Sequence, residues 1–257
     1  MANYYFLAAS FPALELPGVP DISFEEIKSR LEINLSRRDY EKTQVLRLFF
    51  DLNNIRSLLQ EEEIDPRGNL TEKELDEALL IRNILPSYVF DFLDQYATVE
   101  EKVKNFPALI ERYYTEEIER QKGFLQTYLK FERDLRLVLT GYRAKKQKRD
   151  VMRELQFEDP QDSIVADILA QKDAATYDPP EEFRDLIELM RGCGPDPWEQ
   201  HRVFAEYRFR KIGGMAELEI FSIDAILAYL AQLMIVEQWN EMDEVRGKMV
   251  LDTFKGG

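Results

Sequence analysis

The stretch from Pro107 to Arg149 does most to limit what this chain can become. No proline follows Pro107 within it, and its only glycines are Gly123 and Gly141. Ile110, Tyr113, Tyr114, Ile118, Leu125, Tyr128, Leu129, Leu135, Val138, Leu139 and Tyr142 recur at spacings of three and four. That is the period of a helix with one apolar face, not the alternation of a strand. One helix of about 40 residues would be about 60 Å long. A compact domain of this size does not need such a length, so the helix is expected to bend or to project.

The same period continues on either side. Ser23 and Glu26 form an S-x-x-E capping box, followed by an apolar stripe of Phe24, Ile27, Leu31 and Leu35. Asp39 to Glu62 predicts a second helix, with Val45, Leu48, Phe49, Leu52, Ile55, Leu58 and Leu59 facing inward. Thr71 and Glu74 make another capping box, opening a helix to about Leu85, and Pro86 starts the next, to about Ala97. Further helices are expected over Ser163–Lys172, Glu181–Met190 and Trp198–Lys211, the last stopped by Gly213 and Gly214. Ala216–Phe254 reads as one long helix or two. Tyr4–Ser10 reads either as a short strand or as the start of a helix. The expected fold is all-α and elongated, with at most a minor N-terminal strand.

Composition narrows the function classes. The chain has 257 residues, enough for one large domain or two small ones. Its 34 Lys and Arg against 49 Asp and Glu leave a net charge of −15. Such a surface repels phosphate, which argues against free nucleic acid and against adsorption to an anionic membrane. The single cysteine, Cys193, excludes an internal disulfide and suits a reducing, cytoplasmic compartment. The opening residues look like a signal peptide but carry no Lys or Arg before Lys28. They read instead as a buried first element. The most apolar run, Ile220 to Trp239, is free of charge only from Ala225 to Val236. As helix that segment spans about 18 Å, short of a ~30 Å hydrocarbon core. A buried core helix is expected there, with no direct membrane insertion.

The usual catalytic routes close one by one. His201 is the lone histidine, and Cys193 lies eight positions before it across a Gly/Pro loop. A thiol–imidazole pair would need them side by side in space. Common zinc and di-iron sites need more histidines and cysteines than this chain has. Asp65–Glu77 resembles a calcium loop, but Arg67, Leu70 and Asp76 stand where a ligand, a glycine and a glutamate belong. It reads as a turn followed by a capped helix. No G-x-x-x-x-G-K-[ST] loop is present. No catalytic, cofactor or metal residue is therefore assigned. A carboxylate pair of the hydrolase kind stays open, because no spacing among so many acids singles one out. One local feature opposes the acidic background: Arg143, Lys145, Lys146, Lys148 and Arg149 are five bases in seven residues. They are either a solvated helix terminus or a docking patch for an acidic partner.

An internal echo runs through the helices. Asn54-Ile55-Arg56-Ser57-Leu58-Leu59 aligns with Asp134-Leu135-Arg136-Leu137-Val138-Leu139, and more weakly with Ser222-Ile223-Asp224-Ala225-Ile226-Leu227. Chance matches between amphipathic helices produce such echoes as well as true repeats do.

Two resemblances bear on this. Tyr4-Tyr5-Phe6-Leu7-Ala8-Ala9-Ser10-Phe11-Pro12, with Ile22-Ser23-Phe24-Glu25-Glu26, resembles a bacterial family of uncharacterised proteins encoded among V/A-type ATPase genes. Phe50-Asp51-Leu52-Asn53-Asn54-Ile55-Arg56-Ser57-Leu58-Leu59 looks like the D-x-x-N-[IL]-x-x-[LI]-L helix that recurs in the C (d) subunit of that ATPase. The Asp134 helix looks like a second copy, whereas Ser222 and Asp224 depart from the pattern. The likeness implies three related helical modules, here 1–100, 101–177 and 178–257 of a single 257-residue helical chain. It also implies a non-catalytic subunit or assembly factor that couples the central stalk to the membrane rotor ring. Its partners would be other V/A-type ATPase subunits, and it would sit in the cytoplasm, peripheral to the inner membrane. The alternatives are a free-standing helical adaptor and a carboxylate-dependent hydrolase.

Overall fold

The computed structural model describes residues 4–194, 196–216 and 221–255, with residues 243–255 described by backbone alone. Every regular element among the described residues is helical. In chain order the helices are α1 (Tyr5–Ala9), α2 (Phe24–Asn34), α3 (Arg37–Leu59), α4 (Glu72–Ile81), α5 (Ser87–Gln95), α6 (Val99–Lys104), α7 (Phe106–Arg120), α8 (Phe124–Lys146), α9 (Val151–Glu154), α10 (Ser163–Ala170), α11 (Arg184–Gly192), α12 (Pro197–Gly214) and α13 (Ile223–Lys255). A 3₁₀ turn, Glu181–Phe183, leads into α11. The all-α expectation holds, and Tyr4–Ser10 resolves as helix rather than strand.

Packing divides the chain into two compact units, Gln44–Ile187 and the pair of segments Met1–Thr43 and Glu188–Gly257. The contiguous unit has a core of Leu52 and Ile55 from α3, Leu75 and Ala78 from α4, Tyr88, Val89 and Phe92 from α5, Leu109, Ile110 and Tyr113 from α7, and Leu129 from α8. Each fully buried Leu or Ile contributes about 1.5–3 kcal/mol of transfer free energy. α7 packs on α5 and α8, and α8 on α10. Gly141 lets the last pair approach, because a Cβ there would lie 3.0 Å from Ile168 Cγ2.

The long apolar pattern is two helices, not one bent helix. α7 ends at Arg120, and Gly123 takes φ 64°, ψ −140° before α8 begins at Phe124. That conformation is nearly confined to glycine, and it lets the chain turn so that α7 and α8 pack on each other. α4 likewise stops earlier than expected. Arg82 is left-handed, at φ 60°, ψ 49°, and its N–H and that of Asn83 close on Ala78 O.

The unit built from both chain segments pairs α12 with α13 and sets α2 against α13. Ile226, Leu227, Leu230, Leu233 and Val236 of α13 are buried, as expected of a core helix. Phe24, Ile27, Leu31 and Leu35 are buried too. The capping box at Ser23 is half formed: Ser23 accepts from the Glu26 N–H, but the Glu26 carboxylate pairs with Arg30. Glu237 of α13 instead accepts from the Phe24 N–H at 2.7 Å. The expected buried first element is corrected by α1, which buries Leu7 but leaves Phe6 88% exposed. Five residues give a helix too short to hide more than one side. Among the described residues, no helix is long and apolar enough to cross a membrane.

The break at Gly123 generates a direct test. G123A forces a side chain into a glycine conformation and should cost about 1–3 kcal/mol. Thermal unfolding should show a lowered Tm, with the helical circular dichroism of the native state unchanged.

Candidate functional site

The D-x-x-N motif of α3 forms the most developed polar arrangement in the contiguous unit. Arg47, Asp51 and Asn54 stand at i, i+4 and i+7, which places them on one face of the helix. All three are buried beside Leu52 and Ile55. Charges in such a setting are costly unless they are paired and hydrogen-bonded.

Their partners come from the loop that follows the helix. Asp51 Oδ1 accepts from the Asn69 N–H at 2.6 Å and the Leu70 N–H at 3.1 Å, and Oδ2 accepts from Asn69 Nδ2 at 2.7 Å. Asn54 donates to Asp65 O at 2.9 Å and accepts from the Asp65 N–H at 2.8 Å. Arg47 donates to Arg67 O at 3.0 Å and to Gly68 O. Asp65 in turn holds Arg67, through Nε at 2.7 Å and Nη2 at 2.5 Å, and the Arg67 guanidinium lies over the Phe50 ring. Burial pushes the Asp51 carboxyl up, against the hydrogen bonds and the Arg47 charge that hold it down. Gly68 fits where no other residue does, since a Cβ would sit 2.7 Å from Asp51 Oδ1 and 2.8 Å from Asn54 Nδ2. The calcium-loop look-alike Asp65–Glu77 is thus a clasped turn over Asp65–Leu70 followed by the start of α4, which Thr71 caps in a complete capping box with Glu74.

The helix whose residues align with those of α3, α8, also fastens what comes after it. Arg133 pairs with Asp162, and Arg136 with Glu158 at 2.8 Å. Asp162 is the N-cap of α10, accepting from the Ile164 and Val165 N–H groups. Burial works against the Asp162 carboxylate, but Arg133 and those N–H groups outweigh it and hold its pKa below the usual range. Asp134, aligned with Asn54, is buried, with Arg133 Nη1 at 3.5 Å. Burial pushes its pKa up to about 6 despite Arg133 and Lys130. The third match has a different place: Ser222 precedes α13 and accepts from the Ala225 N–H at the helix start.

The basic run is less uniform than its sequence suggests. Lys145 Nζ donates to Lys172 O and to Ala174 O, which ties down the segment after α10. Arg149 pairs with Glu154 at 3.6 Å, and Lys146 lies over the Tyr142 ring. Arg143 and Lys148 are exposed, Lys148 in the left-handed conformation that ends α8. Cys193 Sγ donates to Leu189 O and Glu199 O, whereas His201 stacks on Trp239 at 5.7 Å. Burial and Arg208 lower the His201 pKa. No group of three or more His, Cys, Asp or Glu among the described residues is arranged to hold a metal.

In the sequence Asp51 and Asn54 form a motif, whereas Arg47 and Asn69 lie outside it. The signal for Arg47 was its spacing, one helical turn before Asp51 on the inward face.

A family profile described as "Protein of unknown function (DUF2764)" matches residues 1–257. The chain is 28% identical over 263 residues to proteins described as uncharacterized from Chlamydia muridarum and Chlamydia trachomatis, covering 100% of this chain and 99% of each relative. A third such relative, from Chlamydia pneumoniae, is 28% identical over 258 residues, covering 98% of this chain and 97% of its own length. No solved structure matches the chain.

Two outcomes test the site. G68A should break the Asp51 and Asn54 hydrogen bonds to the loop and cost about 1–3 kcal/mol for each buried polar group left unpaired, read as a lowered urea midpoint. Asp134 has a folded pKa above its unfolded value, so its contribution to stability is full below about pH 4 and is lost as pH rises through about 6. D134N removes that loss. Its Tm advantage over the wild type should be absent near pH 4 and present at pH 7.5.

Proposed function

We propose that this chain, which belongs to the DUF2764 family along its whole length, serves as a non-catalytic subunit or assembly factor of a V/A-type rotary ATPase, of the C (d) kind. Its role would be mechanical. Helical modules would present rigid faces to the central stalk and the rotor ring, and couple shaft rotation to the ring. The protein would work in the cytoplasm, held at the inner membrane through the complex.

One observation carries the reading. The two helices that resemble the C-subunit motif use their mid-helix polar residues for the same task. Asp51 and Asn54 of α3 hold loop 65–70, and Arg133 and Arg136 of α8 hold Asp162 and Glu158. The fastening residues do not occupy aligned positions, since Asp51 and Asn54 fall opposite Phe131 and Asp134, but amphipathicity alone asks only for apolar residues on the inner face and calls for a loop-fastening role in neither helix. Two long helices with fastened loops make stiff building units, which suits a part that transmits torque.

The test is purification of a tagged chain from cells that assemble the ATPase. Central-stalk subunits should co-purify in constant proportion, and deletion of the gene should lower the yield of assembled complex. An intact ATPase isolated without this chain, from cells in which the chain stays monomeric, would show the reading to be wrong and favour the free-standing adaptor.

A further inference from the structure

The turn between α4 and α5 departs from what its residues favour. Ile84, a β-branched residue, has φ 67°, an outlier for its type. The Leu85 N–H donates to Asn83 O at 2.7 Å, which closes a three-residue turn around Ile84. With positive φ at its centre, such a γ-turn is rare and strained. Strain of this kind persists only where the surroundings over-determine it. Here they do. The Arg82 guanidinium donates to both Asp94 oxygens, at 2.9 and 2.6 Å, and lies 5.2 Å from the centre of the Phe90 ring. On the other side Leu85, Tyr88 and Val89 are buried and anchor the start of α5.

The strained turn puts apolar side chains in water. Ile84 is 74% exposed, Leu80 84% and Ile81 56%. Three aliphatic side chains within five residues form a projecting cluster, a different matter from scattered surface leucines. Its border is acidic. Residues 72–95 hold six Asp and Glu against Lys73 and Arg82, and Arg82 is already paired with Asp94. Asp76 and Glu77 are exposed one helical turn before Leu80 and Ile81, and Asp91 is exposed on α5.

We propose that this turn is a preformed docking knob for a protein partner whose surface carries an apolar groove bordered by lysine and arginine. The charge decides between occupants. A second copy of this chain, with net charge −15, meets the acidic border with like charge, and an anionic bilayer does the same. A basic-rimmed protein groove complements both the apolar tip and its surround. Because the knob is held before binding, little ordering cost falls on association. The knob uses none of the clasp residues, so its failure leaves the ATPase reading untouched.

The experiment introduces the photo-crosslinker p-benzoylphenylalanine at Leu80, Ile81 and Ile84 in the full chain in cells, with Ile33 as an exposed control position. The crosslinked protein is identified, purified and titrated against the wild type, L80S and I84G. The expected result is one protein, joined from all three knob positions and not from Ile33, through an apolar segment flanked by Lys or Arg. L80S should weaken its binding about tenfold or more, and added salt should weaken it further. I84G relieves the backbone strain, so its Tm should equal or exceed that of the wild type while its binding weakens. The proposal is overturned by crosslinks only to a second copy, to lipid, to an acidic segment or to nothing, and equally by variants that bind as tightly as the wild type.

Discussion

A carboxylate cannot be taken out of water cheaply, and α3 takes Asp51 out of water in its middle. The local architecture answers that one demand. Asp51 needs several donors, and the Asn69 side chain with two backbone N–H groups supplies them. Those donors exist only if loop 65–70 folds back against the helix. Arg47 and Asn54 then receive the carbonyls and the N–H that the folded loop would otherwise bury unpaired. Gly68 is dictated in turn by the room left between Asp51 and Asn54. Replacing one partner alone would leave its mate buried and unsatisfied, so the polar stripe, Gly68 and Asn69 form a set that must change together.

Helix ends show a second regularity. α4 and α8 both stop through a non-glycine residue in the left-handed region, Arg82 and Lys148. Such stops cost more than glycine would. At each of these ends a long side chain braces a different part of the chain: Arg82 holds Asp94 of α5, and Lys145 holds the carbonyls of 172 and 174 beyond α10. Long charged side chains therefore act here as braces, which is a use of charge beyond keeping an acidic protein in solution.

Local chemistry was legible in the sequence, and chain reversal was not. Thr71 with Glu74 announced the start of α4, because a capping box is made within four residues. The stripe Phe24, Ile27, Leu31 and Leu35 announced its own burial for the same reason. Gly123 hid because the apolar period runs through it: Ile118 and Leu125 are seven residues apart, two turns of an unbroken helix. Periodicity records which side of each helix is apolar and is silent about direction. In the site, Asp51 and Asn54 stood out as a pattern, but their partners lie 11 to 19 residues onward, beyond any helical spacing. Ile84 carries no sign of its left-handed backbone, since the groups on either side of the turn, the Arg82–Asp94 pair and the buried Tyr88 and Val89, meet only in the folded chain. The basic run read as one patch because charge is counted along the chain, whereas Lys145 and Arg149 are taken up by neighbours that folding supplies.

The two packing units are unlike in how the chain reaches them. Gln44–Ile187 is continuous, while the other unit joins Met1–Thr43 to Glu188–Gly257. During synthesis the first 43 residues leave the ribosome long before the helices they pack against. Phe24 must wait for Glu237, and Pro12 for Tyr229. Domains fold as units while the chain emerges, at about 5–20 residues per second. The continuous unit can therefore be complete while the N-terminal segment still has its apolar stripe in water. For that interval Phe24, Ile27, Leu31 and Leu35 are what a chaperone would meet, until the arrival of α13 withdraws them.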